Sequence, residues 1–406
     1  MDILPILSTL KRHKTAAGLI VLQIALTCAI VCNALFLISK RIATINAPTG
    51  MPDKELLFIR VGNVLRVENP EPQTRADLAA LKAIDGVRAV TLVNQMPFGY
   101  SSNTSGMRKN ADDTTRGVNT GMYASREGWL ETLGLRLVEG RDFTPEEYVD
   151  GSITETANPK IPAVIINKRL AQRLFPDESA LGKPVYVFGT EPQRVVGVLE
   201  TLPSSDPKGY DENNLHTMMQ PIRPTYRGGS FVLRVDEGRR DAVLKAAVDL
   251  LGKSSLGAKR IVGDQNTFEA MRNDYYREDR AMVWLLSGVC VGLLIVTAFG
   301  IVGLASFWVQ QRTRMIGTRR ALGATQGQIL RYFQTENFIL STGGIALGML
   351  GAYGISLLLM REYALPRLPL SYLPIGALIL WSLGQIAVWG PARRAAALAP
   401  VAALRA

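Results

Sequence analysis

Residues 15–39, TAAGLIVLQIALTCAIVCNALFLIS, form a run of 25 residues without a charged side chain. An α-helix rises about 1.5 Å per residue, so the run would be about 37 Å long and would exceed a hydrocarbon core of about 30 Å. Basic residues precede it at Lys11, Arg12 and Lys14. A cleaved secretory signal is the alternative, but its apolar region is usually only about 7 to 15 residues long. The run therefore predicts a membrane-spanning helix.

Three further uncharged runs lie in the last third of the chain, at 281–311, 337–360 and 368–392. The first has 31 residues, about 46 Å as a helix, so we expect it to tilt or to project from the bilayer as a stalk. Pro374 and several glycines do not argue against spans, because membrane helices tolerate both and small residues permit close helix packing. These glycines are Gly343, Gly344, Gly348, Gly351 and Gly354.

The distribution of charge orients the spans. The 406 residues carry a formal net charge of +11, and 47% of them are hydrophobic. Segments 1–14, 312–336 and 393–406 together hold eleven basic residues against Asp2 and Glu336, which accounts for nine of those charges. The positive-inside rule therefore predicts that these three segments are cytoplasmic and that 40–280 lies outside. Because the excess charge flanks the spans, it does not indicate a nucleic-acid-binding surface.

The segment 40–280 alternates short apolar runs with helical periodicity, which predicts a folded α+β domain, in one or two lobes. The predicted strands are Leu56–Val61, Ala89–Val93, Ala163–Ile166, Val185–Phe188, Arg194–Leu199 and Ser230–Val235. The predicted helices are Ala76–Ile84, Glu127–Leu133, Lys168–Phe175 and Arg239–Leu251. The polar stretches Ser101–Thr120 and Glu200–Asn214 are predicted to be loops, either as plain surface or in contact with a ligand.

The sequence offers no constellation typical of catalysis or metal binding. Cys28, Cys32 and Cys290 all fall in predicted spans, and the chain has only two histidines. Gly252–Ser254 reads GKS, but Ala247 stands where a phosphate-binding loop needs its first glycine. We therefore predict no catalytic, cofactor-binding or metal-binding residues in this chain.

Two motifs carry a specific resemblance. Residues 311–324 read QRTRMIGTRRALGA, which resembles the R-x-R-E-I-G-x-R-x-A-L-G-A signature of the MacB/FtsX-type ABC transporter permeases, the type VII group. Met315 stands where the family pattern has Glu. The tail reads PARRAA at 391–396 and PVAALR at 400–405, similar to the family's terminal P-A-x-x-A-A and P-V-x-A-L-R.

The outer segment also resembles the MacB-like periplasmic core pattern, so the resemblance covers nearly the whole chain except 40 to about 95 and the loops. Its matching stretches are Leu133–Leu135, Gly140–Thr144, Val164–Asn167, Leu170–Ala171, Leu174–Pro176, Leu181–Lys183 and Val195–Val198. The resemblance implies a helical membrane domain of four transmembrane helices, with a large α+β extracytoplasmic domain inserted between helices 1 and 2. The predicted boundaries are a cytosolic amphipathic segment 1–14, span 15–39, outer domain 40–280, span and stalk 281–311, cytosolic coupling segment 312–336, span 337–360, short outer loop 361–367, span 368–392 and cytosolic tail 393–406.

The resemblance also implies a function. Such a chain is a non-catalytic permease of a bacterial inner membrane, paired with a second permease copy or a paralogue and with two ATPase subunits that bind ATP and Mg²⁺. A membrane-fusion protein and an outer-membrane channel are further implied partners, and no nucleic acid is expected. The residues implied to couple to the ATPase are Arg312, Arg314, Ile316, Gly317, Arg319, Arg320, Ala321, Leu322, Gly323, Ala324 and Glu336. The matching tail residues are Pro391, Arg393, Arg394, Pro400, Leu404 and Arg405.

Residue chemistry supports that interpretation without requiring it. The arginines between Gly317 and Gly323, and those just before, suit lipid phosphates or an acidic partner surface, although simple membrane anchoring would also explain them. Anchoring does not explain the small residues at 317, 321, 323 and 324, which would let a partner's backbone come close. Two other functions stay open: a non-transporting subunit that passes force to a cell-envelope partner, and a membrane-anchored enzyme.

Overall fold

The computed structural model describes residues 14–63, 67–99, 102–113, 117–150, 160–207, 215–227, 229–253, 260–363 and 367–397. The chain forms two compact units: a membrane unit, Met1–Asn46 with Glu278–Ala406, and an outer unit, Ala47–Arg277. In chain order the helices are α1 (Lys14–Ile45), α2 (Glu71–Lys82), α3 (Trp129–Leu133), α4 (Lys168–Leu174), α5 (Arg240–Lys253), α6 (Phe268–Tyr275), α7 (Arg277–Gln311), α8 (Thr313–Ala321), α9 (Gln326–Tyr363) and α10 (Tyr372–Ala396).

Every strand that the structure describes lies in the outer unit. They are β1 (Leu56–Asn63), β2 (Val87–Val93), β3 (Thr104–Met107), β4 (Val118–Ala124), β5 (Leu137–Gly140), β6 (Val149–Asp150), β7 (Ala163–Asn167), β8 (Pro184–Val185), β9 (Gln193–Leu199), β10 (Thr217–Gln220), β11 (Ile222–Arg223), β12 (Ser230–Val235) and β13 (Arg260–Thr267).

Four helices of the membrane unit, α1, α7, α9 and α10, are long and apolar enough to cross a bilayer. This confirms the prediction of four spans, with one span before the large domain and three after it. Each helix extends beyond its uncharged run at one end or both, and α7 has 35 residues. Helix ends do not mark where lipid begins, so the predicted span boundaries stay predictions.

Helix α9 packs closely along α1 because glycines remove side chains from the contact. A Cβ built at Gly344 would lie 2.8 Å from the Cβ of Ile24, and one at Gly348 would lie 2.5 Å from the Cβ of Cys28. Polar groups add specific links: Asn33 Nδ2 donates to Ala352 O on α9 at 3.0 Å. The predicted role of these two glycines in close packing is confirmed.

The outer unit contains two main sheets with separate apolar cores. The first is antiparallel with the order β13-β1-β12-β2, and its core residues pack against α2 and α5. The second is mixed, with the order β3-β4-β10-β7-β9-β5 and β8 paired to β9. Strand β7 is buried along its whole length, as expected for an apolar strand at the centre of a sheet. The prediction of an α+β domain after the first span is confirmed.

Some predicted elements differ from the observed ones. The loop predicted at Ser101–Thr120 is wrong, because it contains β3 and the first residues of β4. Strand β3 reads TSGM and lacks the apolar alternation of a strand; it is held by the antiparallel ladder to β4. Gln95 also stabilises Asn103, the residue just before β3, because Gln95 Oε1 accepts a hydrogen bond from the Asn103 backbone N–H at 2.8 Å. Of Val185–Phe188, only Val185 is in a strand.

An aromatic cluster packs against α6, the last helix before α7. Phe98 has a backbone φ of 63°, a left-handed conformation that costs a non-glycine residue about 1–3 kcal/mol. Its ring centroid lies 5.5 Å from that of Phe268 and 5.4 Å from that of Tyr275. Arg272 on α6 forms an ion pair with Asp53. The segment that follows α1 and the helix that precedes α7 are thus tied to one place in the outer unit.

The close contact between α1 and α9 yields a matched prediction. Gly348→Ala should destabilise the protein by about 1–3 kcal/mol, because the added methyl group would collide with Cys28 and with the carbonyl oxygen of Ala25, 2.7 Å away. Gly343→Ala is the control, since nothing lies within 4 Å of its built Cβ. We expect the apparent melting temperature of the detergent-purified protein to fall only for Gly348→Ala. Equal melting temperatures for the two variants would contradict this packing.

Candidate functional site: the segment between α7 and α9

The residues predicted to couple to an ATPase form a short helix and a turn between two long helices. Arg312 leaves the helical conformation with φ −107° and ψ 14°, which separates α8 from α7. After α8 the chain turns at Gly323, whose φ is 95°, a conformation that favours glycine. Thr325 and Gln328 then cap α9 reciprocally: Gln328 N donates to Thr325 Oγ1, and Thr325 N donates to Gln328 Oε1.

Two charged residues on the inner side of this segment form a buried ion pair. Arg312 Nη1 lies 3.0 Å from Glu336 Oε1 and 2.7 Å from Glu336 Oε2. The Arg312 side chain is 8% exposed and that of Glu336 2%, and the guanidinium lies 5.4 Å from the centre of the Trp308 ring. The pair joins the end of α7 to the third turn of α9, so it fixes where α8 begins relative to both.

Apolar contacts hold the same side of α8. Ile316 is buried in the apolar core of the membrane unit, and Gly317 is buried beside it. Helix α10 also contacts α8, and Pro391 in its last turns is buried. The resemblance assigned Ile316 and Gly317 to coupling and Pro391 to the cytosolic tail, and the structure buries all three in the membrane unit.

The remaining coupling candidates face outward or lie at the edge of the segment. Leu322 is 83% exposed, and Arg314, Ala321 and Gly323 are exposed, with nothing within 4 Å of a Cβ built at Gly323. Arg319, Arg320 and Ala324 are half-buried. Arg319 stacks over Tyr332, and Arg320 Nη1 donates to Ala324 O at 3.2 Å. The outward surface is therefore basic at its edge with an apolar side chain at its tip.

The tail candidates divide between described and undescribed residues. Arg393 and Arg394 are exposed on the last turn of α10, and the Arg393 guanidinium lies 5.2 Å from the centre of the Trp389 ring. Pro400, Leu404 and Arg405 lie outside the described residues. The coupling role of the segment and of the tail stays a prediction.

A second candidate, which the sequence did not indicate, is an arginine-lined cleft of about 420 Å³ in the outer unit. Its walls are formed by Arg75, Leu78, Arg126, Glu127 and Arg223. These side chains come from helix, strand and connecting segments far apart in the sequence, so no local motif marks them. Each arginine faces a carboxylate: both Arg75 and Arg126 pair with Glu71. The cleft is a network of ion pairs and holds no free cationic site among the described residues.

Charge in this cleft is tightly compensated. Burial works to raise the pKa of the Glu127 carboxyl, but hydrogen bonds from Arg223 and from its own backbone N–H outweigh burial and hold that pKa below its usual value. The Glu127 hydrogen bond raises the pKa of Arg223 in turn. Arg223 also contacts Asp150 at 3.0 Å. We regard the network as a structural contact, since its charges already satisfy one another.

Other chemistry finds no support in the part of the chain that the structure describes. No group of three or more His, Cys, Asp or Glu residues there is placed to hold a metal ion. The three cysteines are buried and unpaired in α1 and α7.

Comparisons with known proteins agree with this architecture. The MacB-like periplasmic core domain family matches residues 19–250, and the FtsX-like permease C-terminal family matches residues 287–400. The first match alone covers more than half of the chain. The protein therefore belongs to the MacB/FtsX-type ABC transporter permeases.

Individual relatives are more distant. An uncharacterized ABC transporter permease of Bacillus subtilis strain 168, YknZ, is 25% identical over 344 residues, which cover 82% of this chain and 79% of YknZ. The macrolide export ATP-binding/permease protein MacB of Chromobacterium violaceum is 28% identical over 299 residues, which cover 71% of this chain and 43% of MacB. The chain thus spans less than half the length of that MacB.

Solved structures match the outer part of the chain. The extracellular domain of the noncanonic ABC-type transporter YknZ from Gram-positive bacteria is 22% identical and covers 51% of this chain and all of the solved domain, with a TM-score of 0.33. The periplasmic region of MacB from Actinobacillus actinomycetemcomitans is 17% identical and covers 57% of this chain and 96% of the solved one, also with a TM-score of 0.33.

The buried ion pair can be tested by removing one charge. Glu336→Gln keeps the size of the side chain but leaves the Arg312 charge buried without a counter-ion, so we expect a loss of about 3–5 kcal/mol of stability. The measurement is the apparent melting temperature of the full chain in detergent. Arg314→Gln, on the exposed side of the same segment, should change it little.

Removing both charges separates pairing from simple loss of a side chain. Arg312→Met combined with Glu336→Leu leaves no buried charge, so it should recover most of the stability that Glu336→Gln loses. If Glu336→Gln were as stable as the unmodified protein, the pair would not hold the segment.

Proposed function

We propose that this chain is the membrane subunit of an ATP-binding cassette complex in which a separate ATPase drives movement of the outer unit, for export or extraction of a substrate. The observation that carries this proposal is the two-sided character of the segment between α7 and α9. Its inner side is fixed by the Arg312–Glu336 pair and Ile316, and its outer side presents Leu322 and arginines. A surface held rigidly on one side and exposed on the other suits the docking of a partner that pushes on it.

The same fixation provides a route for the movement. Because Arg312 ends α7 and Glu336 lies in α9, displacing α8 would move both long helices together. Helix α7 is continuous over 35 residues, and the outer unit's α6 directly precedes it in sequence. The contacts of α6 with Phe98 and Asp53 would then carry the displacement into the outer unit.

The proposal assigns sides and partners. Both termini and the α7–α9 segment would be cytoplasmic, with the outer unit in the periplasm or outside the cell, in accordance with the positive-inside rule. ATP and Mg²⁺ would be bound by the ATPase pair, and this non-catalytic chain would pair with a second permease copy or a paralogue. A membrane-fusion protein and an outer-membrane channel are further proposed partners. The name of the macrolide exporter MacB, which states both ATP binding and a permease, supports an ATPase partner here.

The exposed tip of the segment gives the direct test. The measurement is the amount of ATPase that co-purifies with the tagged chain from solubilised membranes. Leu322→Asp should lower that amount at least about tenfold, because a charge in a docked apolar contact costs more than about 1.4 kcal/mol. Ile261→Asp is the control: Ile261 is 57% exposed but lies in the outer unit. Both variants must reach the membrane at the level of the unmodified chain. Undiminished recovery of the ATPase with Leu322→Asp would reject the docking surface.

A further inference from the structure

A small cavity lies inside the membrane unit next to the ion pair. Its volume is about 20 Å³, and apolar side chains of α1, α7, α9 and α10 form most of its wall. Three polar residues also line it: Trp308 from α7, and Glu336 and Asn337 from α9. Polar side chains beside a cavity among four membrane helices need an explanation, because unsatisfied polar groups are costly there.

Two of these polar residues have hydrogen-bond donors without a partner. Trp308 Nε1 and Asn337 Nδ2 are buried and form no hydrogen bond, and the two residues are only 4% and 5% exposed. Leaving a buried donor unsatisfied costs about 1–3 kcal/mol. The α10 residue that faces Asn337 is Gly384, whose built Cβ would lie 2.9 Å from Asn337 Nδ2, so this position of α10 offers that donor no side-chain partner.

The third residue offers acceptors. Each carboxylate oxygen of Glu336 accepts a hydrogen bond from Arg312 Nη1, and a carboxylate has about four lone-pair positions in all. Glu336 can therefore accept another hydrogen bond. Residues that line one cavity thus carry two unsatisfied donors and one acceptor, which match a ligand that accepts two hydrogen bonds and donates one.

The volume of the cavity and the charges beside it determine which ligand it can hold. A cavity needs about 10–15 Å³ to hold one water molecule, and that water needs two to four polar partners. The cavity therefore has room for one water and for nothing larger than an ion. An anion such as chloride would add a charge beside an ion pair that is already neutral, at a large desolvation cost. We propose that Trp308, Asn337 and Glu336 bind a single internal water molecule.

The water would give Trp308 and Asn337 a definite role as positioning residues. It links the N–H of Trp308 on α7 to the carboxylate of Glu336 on α9, in parallel with the direct contact from Arg312. The two helices are then joined by two polar connections at the level where α8 begins. The site stands on the cavity and the donors alone, and is independent of whether the α7–α9 segment docks an ATPase.

Radiolytic hydroxyl-radical labelling of the full chain in nanodiscs tests the site, because a bound internal water oxidises side chains beside it that bulk solvent does not reach. Trp129 is the control: it is also buried, at 0% exposed against 4% for Trp308, and its Nε1 donates to Asp142 Oδ1 at 3.1 Å. We expect Trp308 to be oxidised several-fold faster than Trp129. Oxidation of Trp308 at the rate of Trp129 would overturn the proposal without recourse to any variant.

Two further measurements sharpen the result. Asn337→Leu removes one water partner and occupies space beside the cavity, so labelling of Trp308 should fall to the level of Trp129 while labelling of Trp129 itself stays unchanged. Replacing chloride by gluconate should leave both the labelling and the melting temperature unchanged. A fall in melting temperature that chloride alone restores would overturn water as the ligand.

Discussion

The ion pair between Arg312 and Glu336 is the interaction on which the arrangement of the α7–α9 segment depends. Both side chains are almost fully buried, and breaking such a pair costs more than the pair contributes, because one charge is left in an apolar core. The role of the ion pair is therefore to fix the positions of the helices that it joins. It requires that the end of α7, the start of α8 and the third turn of α9 keep one geometry whenever the protein is folded.

Close helix packing extends that constraint through the membrane unit. Gly344 and Gly348 bring α9 against α1, so three of the four long helices are connected through α9 or through the ion pair. A push on α8 would meet a bundle that moves as a body more readily than it deforms, since packed cores resist continuous distortion. In the outer unit, the contacts around Phe98 and Asp53 hold α6 and the segment that follows α1 together. This provides a physical basis for the proposed mechanical mode of action.

The sequence predicted the structure best in the membrane-spanning segments, where lipid restricts which residues can occur. An uncharged run long enough to cross a bilayer has few other interpretations, so all four long helices were predictable, as were apolar central strands such as β7. Strand β3 was not predictable, because only one of its side chains, Met107, lies in the apolar core, and the strand is otherwise held by its backbone ladder to β4 and by Gln95. The arginine cleft was equally hidden, since Arg75, Arg126 and Arg223 meet only through the tertiary fold.

The candidate site, too, was only partly predictable from the sequence. Resemblance identified the residues of the α7–α9 segment as a group, but it did not distinguish those that face inward from those that face outward. Glu336 is 24 residues from Arg312, and nothing local in the sequence states that the two pair. Whatever part Glu336 has in coupling must be indirect, because its carboxylate is buried against Arg312. Leu322, Arg314 and Ala321 are exposed side chains that a partner could touch directly.

In the proposed topology, the α7–α9 segment and the outer unit lie on opposite sides of the bilayer. Single cysteines at exposed positions Ala321 and Lys109, each in a chain whose native cysteines are replaced, can be labelled in intact cells with a membrane-impermeant maleimide. The proposed topology predicts labelling at 109 in intact cells and labelling at 321 only after the membrane is opened. Labelling of both positions in intact cells, or of neither, would contradict it.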